Sequence, residues 1–134
     1  MMRNVLAVVA GFVVAAAVMM GCEFANSFLY PFPPGMDTND LEAVRDFAAA
    51  MPLSALVLVA IGWTAGSFAG GFATTRIART GSPALAQIMG LLLTAGGVFN
   101  AWMIQNPPWF FWGGLPVFFL FAMLGHHAAV GARR

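Results

Sequence analysis

Val5 begins the run VLAVVAGFVVAAAVMM, which ends at Met20 and contains no polar side chain. A strand of a membrane β-barrel would alternate apolar and polar residues over about ten positions, so this continuous run is typical of a helix. With its mostly apolar flanks, residues 4–29, it is long enough to cross about 30 Å of hydrocarbon at about 1.5 Å per residue. We therefore predict a first membrane span over residues 4–29.

Three more mostly apolar runs are long enough to cross a membrane: residues 53–73, 83–104 and 109–126. No Asp, Glu, Lys or Arg occurs between Thr80 and Ala132, a stretch too long for one span. We place its break at Gln105-Asn106-Pro107-Pro108, because tandem prolines end a helix. The sequence therefore predicts an all-α integral membrane protein, a single membrane domain (residues 1–134) with four transmembrane helices in an up-down bundle.

The composition of the chain supports this class and excludes others. Of its 134 residues, 60% are apolar and 8% are charged, whereas soluble domains carry about 25% charged residues. This balance and the single cysteine exclude a soluble enzyme, a nucleic-acid binder with a basic face and a disulfide-linked secreted domain. We expect membrane lipids, and no nucleic acid, as partners.

Charged residues divide between the two ends of the predicted spans. All the acidic residues lie at or beyond the end of the first span, in or beside the outer loop of residues 30–52. Most of the arginines lie at the chain termini or between the second and third spans: Arg3, Arg76, Arg79, Arg133 and Arg134. Because arginine and lysine concentrate in cytoplasmic loops, we predict a multi-pass protein of the bacterial inner membrane with both termini cytoplasmic.

The outer loop, residues 30–52, has the pattern of a short extracytoplasmic amphipathic helix. Asn39 is a suitable N-cap, and Glu42 follows three residues later as in a capping box. Apolar residues recur at helical spacing at Leu41, Val44, Ala48 and Met51. Such a helix either lies on the outer membrane surface or caps the bundle, and the sequence leaves both arrangements open.

The segment that ends at Cys22 has a second interpretation. Arg3, an apolar stretch and the pair Gly21-Cys22 resemble a bacterial lipoprotein signal peptide, in which cleavage precedes a lipidated cysteine. Met19 departs from the leucine that is usual at its position. We favour a retained first span, in which Cys22, the single cysteine, packs as a small apolar residue.

Glycines recur every fourth residue in the second span, at Gly62, Gly66 and Gly70. On a helix they form one flat stripe that a neighbouring helix can approach closely. Gly11 in the first span and Gly90 in the third span belong to similar stripes of small residues. We predict close helix packing at these glycines, either within one chain or between protomers.

Two motifs carry a resemblance to known proteins. The second span contains Gly66-Ser67-x-x-Gly70-Gly71-x-x-Thr74, followed by Arg76, and the loop before it contains Pro-Pro-Gly-x-Asp at residues 33–37. These motifs resemble those of small, uncharacterised bacterial membrane proteins with four spans. The resemblance implies the fold and the membrane location, and it supplies no catalytic residues.

Glu23 is the candidate functional residue of the first span. It lies about two turns, or ~10 Å, before Tyr30, inside the outer half of the membrane, where a carboxylate is costly. Asn26 shares its helix face, and Asn100 of the third span reaches a similar depth. We predict a polar ligand or ion pocket that opens outward, formed by Glu23, Asn26 and Asn100 and closed by Arg45. The alternative is that Glu23 is interfacial, or only ties helices together through Asn100 or Arg45.

Two histidines and a tryptophan have simpler roles than ligand binding. His126 and His127 point about 100° apart on a helix, so both cannot bind one ion, and no Cys, Asp or Glu lies on their side of the membrane. We expect no metal and no cofactor, and we assign both histidines to the polar end of the fourth span. Trp63 is expected to pack as a core aromatic residue.

The function classes follow from these sites. No nucleophile with an acid–base partner lies on one side of the predicted membrane, so we expect a protein without enzymatic activity. The glycine stripes favour an accessory or self-associating subunit, as a homo-oligomer or in a larger membrane complex. The alternative is a small transporter or amphiphile-binding protein that uses Glu23 in the outward-facing polar pocket.

Overall fold

The computed structural model describes residues 1–105 and 107–132, and this part of the chain contains helices and no strand. The helices are α1 (Met2–Leu29), α2 (Leu41–Ala49), α3 (Leu53–Ala78), α4 (Ala84–Ile104) and α5 (Pro108–Gly131). All except α2 are long and apolar enough to cross a membrane. The predicted helical class and the predicted number of long apolar helices are therefore confirmed.

α3 extends further than the sequence predicted. It continues past residue 73 to Ala78, because Thr75 and Ala78 are buried against neighbouring helices and belong to the bundle. It ends at Arg79, whose left-handed backbone (φ 56°) lets its N–H donate to the Thr75 carbonyl oxygen at 3.1 Å. Some residues that the predictions use lie outside the described part of the chain: Asn106, Arg133 and Arg134.

α5 also extends beyond its predicted end at residue 126. The helix runs to Gly131, and His126 lies within it, 3% exposed, with its Nδ1 3.0 Å from the Thr75 Oγ1. His127, the next residue, is exposed. The assignment of His126 to a polar helix end was therefore wrong. Its ring is buried against α3, where a threonine hydroxyl satisfies one ring nitrogen.

α1 and α3 pack antiparallel along the glycine stripe of α3. A Cβ atom added to Gly66 would lie 2.9 Å from the Ala15 carbonyl oxygen, and one added to Gly70 would lie 2.9 Å from the Ala15 Cβ. Gly11 faces the Thr74 hydroxyl in the same way. Only glycine leaves room for the two backbones at these positions, and their close approach supplies the dispersion contacts that hold helices together in lipid. A helix of the same chain thus occupies the stripe.

α5 packs on another side of α3, and α4 packs on α5. Contacts between α3 and α5 follow a parallel register: Trp63 with Gly114, Gly71 with Ala122, and Thr75 with His126. α4 runs antiparallel to α5, with Gly90 near Ala122 and Gly97 against Phe118. Successive long helices therefore alternate in direction, and α3 lies at the centre in contact with the other three. α1 and α4 have the smallest contact of any touching pair of long helices.

Cys22 lies inside α1, which continues through this position without a break. It is half-buried, and its Cβ lies 2.9 Å from the position of a Cβ added to Gly62. Cleavage before Cys22 would remove Gly11 and Ala15, which cover the glycines of α3. The segment that precedes Cys22 is therefore part of the bundle, as a retained first span requires.

α2 is capped by a different residue from the one predicted. The Asp40 carboxylate accepts hydrogen bonds from the backbone N–H groups of Glu42 (3.0 Å) and Ala43 (3.5 Å). Asn39 instead donates its backbone and side-chain N–H groups to Asp37 Oδ1, at 2.9 and 3.1 Å. The predicted Asn39 cap was wrong by one residue, because Asp37 holds that side chain in the preceding turn.

Replacing Gly70 by alanine should weaken the α1–α3 contact. The new Cβ would lie 2.9 Å from the Ala15 Cβ and 3.0 Å from the Gly11 carbonyl oxygen, so the helices must separate, which lowers the free energy of unfolding by about 1–3 kcal/mol. Gly21→Ala is the matched control, because nothing lies within 4 Å of its Cβ position. SDS-induced unfolding in detergent micelles measures both variants. Equal stability of Gly70→Ala and Gly21→Ala would contradict the close packing.

The N-cap of α2 can be tested with two neighbouring substitutions. Asp40→Ala removes the acceptor of two backbone N–H groups and should weaken α2 by about 1 kcal/mol. Asn39→Ala leaves this cap intact and serves as the control. Hydrogen exchange at residues 42–49 should become about fivefold faster in Asp40→Ala only. Faster exchange in Asn39→Ala and unchanged exchange in Asp40→Ala would return the cap to Asn39.

Candidate functional site

A cavity of about 330 Å³ lies at the end of the bundle that α2 covers. Its walls come from α1, α3, α4 and α5, and its cover comes from α2 and the residues on either side of α2. We call it the capped cavity. Residues that line it and that matter for its chemistry are Glu23, Asn26, Tyr30, Trp63, Asn100 and Phe110.

The structure brings the three predicted pocket residues Glu23, Asn26 and Asn100 to the lining of the capped cavity. Glu23 and Asn26 share a face of α1, because residues three apart are neighbours on a helix. Asn100 joins them from α4, which runs in the same direction as α1. Glu23 and Asn100 are exposed, whereas Asn26 is buried. The polar part of the lining thus combines two exposed side chains with one buried side chain.

Asn26 supplies an unused hydrogen-bond acceptor. The side chain is 5% exposed, and its Oδ1 is buried and accepts no hydrogen bond from the described residues. Leaving a buried polar atom without a partner costs about 1–3 kcal/mol, so such atoms are rare in folded proteins. Asn26 belongs to the lining of the capped cavity, but its Oδ1 is enclosed by protein, so the missing partner is a cost to stability.

Aromatic rings form the rest of the lining. Trp63 is 9% exposed and packs against Phe110 and Phe118, with 5.0 Å between ring centroids in each pair. On the cover, Phe32 and Phe47 pack together at 4.8 Å. Trp63 is therefore a packed aromatic residue, as expected, and it also lines the cavity. Such rings attract cations through their negative faces and also bury apolar groups.

Two hydrogen bonds hold the cover of the capped cavity in place. Arg45 on α2 donates from its Nε to the Met103 carbonyl oxygen at 2.7 Å, and this carbonyl lies in the last turn of α4, where no intrahelical donor follows. The hydroxyl groups of Tyr30, the residue that follows α1, and Ser54, in α3, lie 2.6 Å apart and form the second bond. α2 is thus fastened to the bundle as a cap, one of the two arrangements that the sequence left open.

Arg45 does not have the place that the predicted pocket gave it. It is not among the residues that line the capped cavity. Within the described residues, neither Arg45 nor Glu23 has a partner of opposite charge within ion-pair distance, so the alternative in which Glu23 is tied to Arg45 finds no support. Arg45 acts on the pocket only indirectly, by holding α2 over it.

Several lining residues had no signal in the sequence pattern. Phe32 and Phe47 come from the loop and from α2, and they reach the cavity only because this segment folds back over the bundle. The apolar face of this segment was visible as helical spacing, and three of its four residues, Val44, Ala48 and Met51, line the cavity. That face could have indicated a cap, but spacing alone does not separate contact with protein from contact with lipid.

Asn26→Leu should make the ligand-free protein more stable. The substitution removes a buried oxygen that has no partner, and we expect the free energy of unfolding to rise by about 1 kcal/mol. Asn100→Leu is the matched control, since it changes helix propensity equally at an exposed position. SDS-induced unfolding compares the two variants. If the free energy of unfolding rises no more in Asn26→Leu than in Asn100→Leu, the Asn26 oxygen is not an unsatisfied buried acceptor.

Comparison of the chain with known protein families, with curated proteins and with solved structures found no match. The similarity to small four-span bacterial proteins stays a prediction from the glycine and proline motifs. The functional interpretation therefore rests on the geometry of the capped cavity.

Proposed function

We propose that this protein is a non-enzymatic membrane protein that binds small cationic amphiphiles in the capped cavity. The observation that carries the proposal is the position of Glu23. Its side chain lines a cavity whose lining also includes Asn26 and Trp63. A cationic head group would complement the Glu23 carboxylate and the face of the Trp63 ring.

The charge of the lining favours a cation. Glu23 is the single charged side chain among the residues that line the capped cavity. A carboxylate near apolar surroundings is stabilised by a nearby positive charge, which offsets part of its desolvation cost. Trp63 and Phe110 add cation–π attraction of about 0.5–2 kcal/mol for a head group that lies over a ring face. An anionic head would meet repulsion from Glu23 and from the same ring faces.

In the structure, the glycine stripes support a self-associating subunit less strongly than the sequence pattern alone did. Gly62, Gly66 and Gly70 are in contact with α1, and Gly90 is in contact with α5. Packing within one chain accounts for these residues. Assembly into a homo-oligomer or a larger membrane complex stays a prediction, and it requires another surface.

We further propose that the long helices span a bacterial inner membrane, with both termini cytoplasmic and the capped cavity on the other side. Arg3, Arg76 and Arg79 lie at the end opposite α2, which supports this orientation under the positive-inside rule. Trp109 and Trp112 are exposed near the α2 end, where indole rings favour the lipid headgroup layer.

Glu23→Gln should lower the affinity for octyltrimethylammonium by about tenfold or more, which corresponds to about 1.4 kcal/mol. The measurement is isothermal titration calorimetry on the protein in nanodiscs of zwitterionic lipid. Glu42→Gln is the matched control, because Glu42 is exposed on α2 and does not line the capped cavity. Octyl sulfate should bind the unaltered protein much more weakly than the cation. Equal affinity of Glu23→Gln and the unaltered protein, or equal binding of the two amphiphiles, would overturn the proposal.

A further inference from the structure

A second cavity of about 190 Å³ adjoins the capped cavity. The two cavities share Glu23, Trp63 and Asn100 in their linings. The second cavity lies along the line where α1 faces α4, and we call it the seam groove. Since both linings contain the same carboxylate, a molecule with its head beside Glu23 can continue directly into the seam groove.

The seam groove is apolar apart from the two polar residues at its junction with the capped cavity. Phe12, Ala16 and Met19 line it from α1, and Leu93, Gly96 and Gly97 line it from α4. Trp63 and Phe118 lie at its base, where they pack against each other. This lining matches a hydrocarbon chain and offers nothing to a polar molecule.

The seam groove opens where the bundle is least closed. α1 and α4 have less contact than any other touching pair of long helices. A Cβ atom added to Gly96 would meet nothing within 4 Å, whereas one added to Gly97 would meet the Phe118 ring. Phe12 is 44% exposed on the outer surface of the bundle. The groove is thus bordered by surface that would face lipid.

We propose that the seam groove holds the hydrocarbon chain of the cationic amphiphile and that the amphiphile enters from the lipid between α1 and α4. This inference rests on the proposed function and adds the substrate class, a single-chain alkyl cation, and its route. Charge complementarity orients the molecule, because the only charged group of the two linings, Glu23, lies at their junction. The head then occupies the capped cavity, and the chain extends along α1 from Glu23 toward Phe12.

Gly96→Leu should block the chain without altering the cationic site. Gly96 lines the seam groove and not the capped cavity, and a leucine side chain there would extend from the groove lining into open space. Affinity for dodecyltrimethylammonium should fall at least tenfold in nanodiscs of zwitterionic lipid, whereas tetramethylammonium, which has no chain, should still depend on Glu23. Gly113→Leu is the matched control, since its Cβ position is equally open and lies outside both cavities.

The outcomes separate the two proposals. Unchanged dodecyltrimethylammonium affinity in Gly96→Leu, with loss of affinity in Glu23→Gln, would overturn the seam groove and leave the cation site. Unchanged affinity for both cations in Glu23→Gln would overturn the proposed function itself. Equal losses in Gly96→Leu and Gly113→Leu would also count against the seam groove, because Gly113 lies outside it.

A second measurement does not depend on how Gly96→Leu folds. A dodecyltrimethylammonium derivative with a photoreactive diazirine at the chain end is crosslinked to the unaltered protein in the same nanodiscs. Labelling should concentrate in residues 12–19 of α1 and 93–97 of α4, and an excess of unlabelled amphiphile should suppress it. Labelling spread over the exposed faces of all the long helices, without such competition, would overturn the seam groove.

Discussion

The close approach of α1 to α3 is the constraint on which the rest of the bundle depends. Lipid tails are as apolar as leucine side chains, so burial of apolar surface does not drive two helices together inside a bilayer. Complementary shape must hold the helices together instead. At Gly66 and Gly70, a single added carbon would lie too close to the backbone or a side chain of α1. Gly11 of α1 allows an equally close approach, because the Thr74 hydroxyl of α3 occupies the space that a Gly11 side chain would need. The two helices therefore fit in one register, which fixes how far Glu23 lies from the end of α3.

The same packing explains where an open site can exist. α3 contacts α1 on one side and α5 on another, and α5 in turn holds α4. α4 is thereby positioned through α5 and α3, and its contact with α1 is left small. The Glu23 side chain lies on the α1 wall beside this small contact, and the unpartnered Asn26 oxygen is buried about one turn further along α1. Tight packing through glycine in one part of the bundle thus allows unsatisfied polar groups and open volume in another, a division that is common where proteins bind ligands.

The features of this arrangement that could be predicted from sequence are those set by the order of residues along a single helix. Apolar length gave the long helices, and position along a helix brought Glu23 and Asn26 to one face and Asn100 to the same depth. Helix ends were less predictable, because burial of Thr75 and His126 against each other extends α3 and α5 beyond the apolar runs. The predicted Asn39 cap was wrong because Asp37 accepts the N–H groups of Asn39 and the Asp40 carboxylate caps the helix. The aromatic cover was missed because Phe32 and Phe47 reach the site only after a loop folds back, which no periodicity encodes.

The two cavities would contribute differently to the binding of an amphiphile. A chain that moves from lipid into the seam groove exchanges one apolar environment for another, so its transfer adds little affinity. A side chain that fills the groove would lower affinity by keeping the molecule from the position in which its head reaches Glu23. The head exchanges water or the headgroup layer for the Glu23 carboxylate, and the ring of Trp63 adds a directional attraction. Selectivity would therefore come from the head, and the groove would decide which molecules can bring a head to that position. A rigid or two-chain cation would be too wide to pass between α1 and α4. A single flexible chain can lie along the path from Phe12 to Glu23.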